Sequence, residues 1–214
     1  MYWPTARKII ESPSRTIQEK FDAEVGYWSE IPSILVGPLK KLEFQTYLNE
    51  AIDSRVNIHD PNISILDFGC GIGRAFEALS PSCKYVGVDI SKGLLDIFKS
   101  SHPELSLILL KEQSIPFPDD SFNLIICYSV LTHIPMGEQC SFIMSELYRT
   151  LKNNGVLLVS VFVDVPNPHN ANWIVYSKDD WNKILSEYPW KNHKQVQCYE
   201  WAPDMCQTLY TLIK

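Results

Sequence analysis

The chain has 214 residues and a formal net charge of −6, a length that suits one domain with a full core, alone or with a small appendage, and not two domains of equal size. Lys and Arg are scattered, so there is no basic face to meet phosphates, and nucleic acid is not an expected substrate. The six cysteines, at 70, 83, 127, 140, 198 and 206, form no C-x-x-C pair and several fall in apolar runs. Met1-Tyr2-Trp3-Pro4 opens no charged-then-apolar leader and no apolar run is long enough to span a bilayer, so a cytoplasmic protein without membrane contact is expected.

In chain order, residues 1–14 contain Pro4 and Pro13 and read as an irregular arm. From about 16 to 28, Ile17, Phe21, Val25 and Trp28 recur every three or four residues, the stripe of an amphipathic helix. A second helix follows Pro38, with Tyr47, Leu48, Ala51 and Ile52 among its buried positions. The turn Asp60-Pro61-Asn62 closes this part. Residues 1–60 are thus an arm and helical cap, and residues 61–214 the main domain.

Ile65-Leu66-Asp67-Phe68 reads as a buried strand running without a break into Gly69-Cys70-Gly71-Ile72-Gly73-Arg74. Alternating glycines permit positive φ and remove Cβ atoms that would hold a ligand off the backbone. A strand that feeds a helix through such a turn is the ligand-binding corner of an open α/β sheet. The spacing is G-x-G-x-G; the dinucleotide fingerprint G-x-G-x-x-G would put its third glycine where Arg74 stands. A short helix to about 79, a strand over 84–89, a helix capped by Ser91, strands over 105–110 and 122–127, a helix over 137–151, a turn at 152–155 and a strand over 156–163 follow. Apolar strands alternating with helices predict a parallel sheet covered on both faces. Beyond a loop holding Pro166 and Pro168 come a helix over 177–187 and two strands, about 194–201 and 206–213, whose short turn makes them antiparallel. The predicted fold is α/β: a doubly wound, mostly parallel seven-stranded sheet with a C-terminal antiparallel hairpin and an N-terminal helical cap.

Residues 65–74 resemble motif I of the class I S-adenosylmethionine-dependent methyltransferases, in which an acid, here Asp67, precedes the glycine turn. Val86-Gly87-Val88-Asp89-Ile90-Ser91 resembles the second motif of that family, whose acid, here Asp89, takes both ribose hydroxyls; capping the next helix is its alternative role. Ile115-Pro116-Phe117-Pro118-Asp119-Asp120-Ser121-Phe122 is similar to a run common in the small-molecule members. Where the family carries an acid for the adenine amino group this chain has Lys111, with Glu112 or Gln113 as substitutes. The stretch from Glu146 to Gly155 resembles the family's helix-to-strand turn, with Asn153-Asn154 in place of Pro-Gly, and Phe21 to Tyr27 is similar to a leader that closes the cofactor pocket in some relatives. The terminal hairpin is also a feature of the family.

The resemblance implies S-adenosyl-L-methionine as cofactor, held by Asp67, Gly69, Cys70, Gly71, Gly73, Arg74, Asp89 and Ile90, with Glu112, Gln113, Ser114, Cys127, Tyr128 and Tyr27 completing its walls. It implies methyl transfer to oxygen or nitrogen of a small-molecule acceptor. A sulfonium methyl is already electrophilic, so the protein has to align the acceptor, exclude water and where necessary take a proton; alignment alone contributes on the order of 7–11 kcal/mol. No metal-ligand spacing and no G-x-S-x-G turn is present. Trp28, Tyr128, His133, Trp173 and Tyr176 are the expected acceptor pocket, with His133 and His169 as rival bases and local packing as the alternative role for His133. A repurposed domain, a scaffold or non-methylating cyclase, would carry the same motifs. Glycine spacing and the hairpin disfavour an NAD-dependent oxidoreductase. The sequence leaves the acceptor and the oligomeric state open.

Overall fold

The structure is a computed structural model that describes residues 18, 19, 22, 25, 38–52, 54–111, 114–165, 173–202 and 205–214. Tyr27, Trp28, Glu112, Gln113 and His169 lie outside the described residues. Gln18, Glu19, Asp22 and Val25 are helical, in keeping with the stripe over 16–28. The elements that follow are α1 (Pro38–Ala51), β1 (Ser64–Phe68), α2 (Arg74–Leu79), β2 (Lys84–Asp89), α3 (Lys92–Ser101), β3 (Ser106–Leu109), β4 (Phe122–Cys127), a 3₁₀ turn (Leu131–His133), α4 (Glu138–Thr150), β5 (Leu151–Val163), β6 (Val175–Tyr176), α5 (Lys178–Ser186), β7 (Asn192–Ala202) and β8 (Met205–Ile213).

Seven strands lie in the order β3-β2-β1-β4-β5-β8-β7, with β6, a two-residue strand the sequence does not announce, pairing beside β5. β1 to β5 are parallel, and β8 runs antiparallel to both β5 and β7. The continuous apolar strands are explained by helices on both faces. Leu66, Ile125 and Leu157 share one core with Met144 and Leu147 of α4 and Trp181 of α5. Their neighbours Ile65, Leu124 and Leu158 share the other core with Leu48 of α1, Ala78 of α2 and Phe98 of α3. Each such side chain removed from water contributes roughly 1.5–3 kcal/mol.

The turn expected at 152–155 is a bulge inside β5. Phe122 pairs with Leu151, and the register then jumps so that Leu124 faces Val156. Asn154 in the bulge has a φ of 62°, the left-handed region that asparagine enters more readily than most residues. Two of the stretches that carry the family resemblance are bound to one another here. Arg149 of α4 donates to the carbonyls of Phe117 (2.8 Å) and Ile115 (3.1 Å), and Glu146 accepts from the Ile115 amide (2.9 Å). The Glu146–Arg149 pair therefore fixes the segment that leads into β4.

Candidate active site

The order β3-β2-β1-β4-β5 places a topological switch between β1 and β4, where open α/β sheets hold their ligands beyond the carboxyl ends of the strands. A cavity of about 730 Å³ lies there, within the size range of small-molecule and cofactor sites. Its walls come from the glycine turn, the ends of β2 and β3, the segment from Tyr128 to Ile134, α4, Trp173 and β8.

The three glycines of the turn have different reasons to be glycine. All have positive φ, 74°, 54° and 90° at Gly69, Gly71 and Gly73. A Cβ on Gly69 would stand 2.3 Å from Cγ2 of Val130, and one on Gly73 would stand 2.2 Å from the ring of Phe98. The protein itself presses on these two, so Gly73, expected against the cofactor, is a contact between turn and α3. A Cβ on Gly71 would meet no protein atom within 4 Å, and Gly71 lines the cavity. Gly71 is therefore the position at which the turn opens to a ligand.

Two buried carboxylates stand behind the turn. Asp89, at the end of β2, accepts from the Gly71 amide and the Ser91 amide, both at 2.8 Å. Burial raises its pKa, against the opposing effect of these amide donors and with a further rise from Asp22. Asp22 in turn accepts from the Ser91 hydroxyl at 2.6 Å. Ser91, not Asp89, caps α3, its Oγ accepting from the Leu94 amide. Asp67, in β1, accepts from the Tyr85 hydroxyl. Burial pushes its carboxyl up to about 7, with the Tyr85 hydrogen bond opposing and the charge of Asp89 adding. A pair of buried carboxylates with raised pKa values is a site that gains from a cationic ligand.

Asp67, Gly69, Cys70, Gly71, Arg74, Asp89, Ile90, Tyr128, His133 and Trp173 all lie on the cavity wall, and Lys111 lies there too, at the end of β3. Four expected positions do not. Cys127 is fully buried in β4 on the face of the α4 core, because strand alternation gives it the same side as Ile125. Ser114 is exposed and off the wall. Tyr176 is a core strut: it is 2% exposed, and its hydroxyl donates to the carbonyl of Ile134 at 2.6 Å. Gly73 is the fourth, for the reason already given. Trp173 stacks on Phe162 with ring centroids 5.1 Å apart. The wall residues that had not been singled out include Ser129, Thr132 and Gln207. The signal for the last was a glutamine, the one carboxamide in the interior strand β8.

Residues 66–159 match the model of the methyltransferase domain family. A tRNA (carboxymethyluridine(34)-5-O)-methyltransferase of Arabidopsis thaliana is 31% identical over 98 residues, 46% of this chain and 24% of that protein. The [4+2]-cyclase SpnF superposes with a TM-score of 0.70 at 15% identity, over 92% of this chain and 94% of that one. The magnesium protoporphyrin IX methyltransferase of Synechocystis, solved with bound S-adenosylhomocysteine, superposes with a TM-score of 0.65 at 16% identity, over 92% and 98%. The chain spans half or less of the length of several curated relatives it matches. Strand order and the inserted antiparallel strand are those of the class I S-adenosylmethionine-dependent methyltransferase fold. More particularly, the stretch from Leu66 to Val159, a little under half of the chain, is similar to the methyltransferase domain family, and the cofactor is S-adenosylmethionine. Among the described residues no cluster of His, Cys, Asp and Glu could hold a metal, and no helix is long and apolar enough to cross a membrane.

Proposed function

We propose that the chain transfers the methyl group of S-adenosylmethionine to an oxygen or nitrogen atom of a small-molecule acceptor. The observation that carries this reading is one cavity with two unlike ends: backbone and buried carboxylates at β1 to β3, neutral and aromatic side chains from β4 onward. Gly69, Cys70 and Gly71 would cradle the cofactor, Asp89 would accept hydrogen bonds from its ribose hydroxyls, and Asp67 would face its positive charge. Arg74, Ile90, Leu110 and Tyr128 would complete the walls, with Lys111 beside the adenine end. The bound cofactor supplies an electrophilic methyl group. The protein's part is then orientation and exclusion of water, which the aromatic wall of Tyr128 and Trp173 favours. His133, on the same wall, is within the acceptor half and suits removal of a proton from a hydroxyl or amine near neutral pH. The net charge of −6 supports a small molecule over a nucleic acid as acceptor.

The test separates binding from turnover. Replacement of His133, His169 and Trp173 singly by alanine should leave affinity for S-adenosylhomocysteine unchanged in calorimetry. At least one should lower release of S-adenosylhomocysteine from S-adenosylmethionine in the presence of a panel of phenols and amines. Unchanged release in all three removes this wall from the acceptor site, and no release by the unaltered protein with any acceptor favours a non-methylating use of the domain.

A further inference from the structure

The floor of the acceptor half is a hydrogen-bonded unit drawn from three strands. Ser129, just beyond β4, has a φ of 59°, a left-handed backbone that a serine keeps only when its surroundings hold it there. Its amide donates to Ser160 Oγ of β5 at 2.7 Å, and its carbonyl accepts from Thr132 Oγ1 at 2.9 Å. Its hydroxyl lies 3.2 Å from Oε1 and 3.0 Å from Nε2 of Gln207 on β8. Gln207 is 1% exposed, yet it forms part of the cavity wall. A glutamine amide offers two N–H donors and an oxygen with two lone pairs, and a single hydroxyl can answer only part of that. Gln207 lines the cavity, and capacity left unmet there in a bound complex costs free energy.

The surroundings say what kind of group would meet it. On this half of the cavity the other described walls include Tyr128, Val130, Ile134, Ile143 and Trp173. None of the described residues there carries a carboxylate, ammonium or guanidinium, and His133 brings an imidazole; Asp67, Arg74, Asp89 and Lys111 all belong to the β1–β3 end. A charged acceptor would lose its water without gaining a counter-charge. We propose that Gln207 is a specificity-determining residue that hydrogen-bonds an uncharged amide, carbonyl or hydroxyl group of the acceptor, so that the site selects flat, neutral acceptors over anionic and cationic ones. This rests on the reading of the cavity as a methyl-transfer site.

The experiment titrates protein saturated with S-adenosylhomocysteine with 4-hydroxybenzamide, 4-hydroxybenzoate and tyramine at pH 7, followed by ligand-observed NMR. The three share a ring and a hydroxyl and differ in charge. The carboxamide should bind about tenfold tighter than either charged ring, the size of one well-made hydrogen bond. Gln207→Leu should erase that preference while affinity for S-adenosylhomocysteine stays within about twofold, as expected of a side chain on β8, beyond β4 and β5 from the glycine turn. Gln207→Glu, which keeps the length and can still accept from Ser129, should turn the preference toward tyramine; if Gln207→Leu does not fold, this reversal decides alone. Absence of carboxamide binding, equal or tighter binding of a charged ring, or an unchanged preference in the variants overturns the proposal. Binding to the S-adenosylhomocysteine-loaded protein requires no turnover. A chain that binds as expected but never releases S-adenosylhomocysteine from S-adenosylmethionine would overturn the methyl-transfer reading and leave the role of Gln207 standing.

Discussion

At the β1–β3 end of the cavity the wall is backbone and two buried carboxylates, whereas from β4 to β8 it is made of neutral side chains on a hydrogen-bonded floor. The first kind of wall depends on atoms that are absent: a Cβ at Gly69 or Gly73 collides with the protein, and one at Gly71 enters the space kept for a ligand. The second kind depends on atoms that are present and exchangeable, such as the Gln207 amide and the Trp173 ring. A backbone wall can hold one ligand and tolerates little change. A side-chain wall can be re-specified one residue at a time, which suits a fold whose cofactor is constant while its acceptors vary.

The sharpest way to break that contrast lies within the turn itself. Gly73→Val should yield no folded protein, because its Cβ alone would meet the Phe98 ring at 2.2 Å at a φ of 90°. Gly71→Val should fold, destabilised by roughly 1–2 kcal/mol for a non-glycine residue in left-handed backbone, and should bind no S-adenosylhomocysteine in calorimetry. If the two variants behave alike in thermal melts, the glycines do not differ in the way described. Next in size is Asp89→Asn. Loss of a charged hydrogen-bonding partner typically amounts to about 1.5–3 kcal/mol, or tenfold to a hundredfold in cofactor affinity, with the melting temperature little changed; unaltered affinity would remove Asp89 from the cofactor site.

Asp67 adds a pH dependence. With its carboxyl lifted to about 7 by burial, it is protonated below that value and cannot offer charge to a cationic ligand. Affinity for S-adenosylmethionine should therefore fall as pH drops below about 7, approaching roughly tenfold per pH unit, and Asp67→Asn should flatten the profile. For folding the sign is opposite. Between the ordinary value of 3.8 and about 7 the folded chain holds this proton more tightly than the unfolded chain, so the contribution of Asp67 to stability is greatest below that window and is lost as pH rises through it. Smallest of all is Trp173→Ala. Losing its stack on Phe162, worth roughly 0.5–1.5 kcal/mol, should lower the melting temperature by a few degrees and leave affinity for S-adenosylhomocysteine within about twofold.

The same contrast decided what could be read from the sequence. Strands and helices were legible because apolar runs and helical periodicity are local, and the proposed cofactor half was legible because Asp67, Gly69, Gly71 and Asp89 lie within one strand–turn–helix–strand stretch. The proposed acceptor floor is assembled from Ser129, Thr132 and Ser160, brought together where β4 pairs with β5, and is completed by Gln207 only when β8 enters beside β5. No short spacing marks them. Tyr176 and Cys127 were misplaced for a related reason. An aromatic or thiol near the carboxyl edge of a sheet faces core or cavity according to strand alternation, and alternation has no visible phase where both faces are apolar. The difference between Gly71 and Gly73 lay in Phe98, twenty-five residues beyond the turn.

The position of β8 has a further consequence for how the molecule is made. β7 leaves the ribosome before β8 but has no neighbour in the sheet until β8 has paired with β5, since β8 lies between them. The hairpin can therefore join the sheet only once β8 has been made, closing contacts as distant in sequence as Val156 with Ile213, and long-range pairing of this kind is slow. Strands β1 to β4, with the glycine turn and Asp89, can already be assembled by then. The nascent chain would thus hold a formed cofactor corner before it has any floor for an acceptor, and a ligand such as S-adenosylhomocysteine that binds the corner would favour the native arrangement during the interval when β5 still presents an unpaired edge.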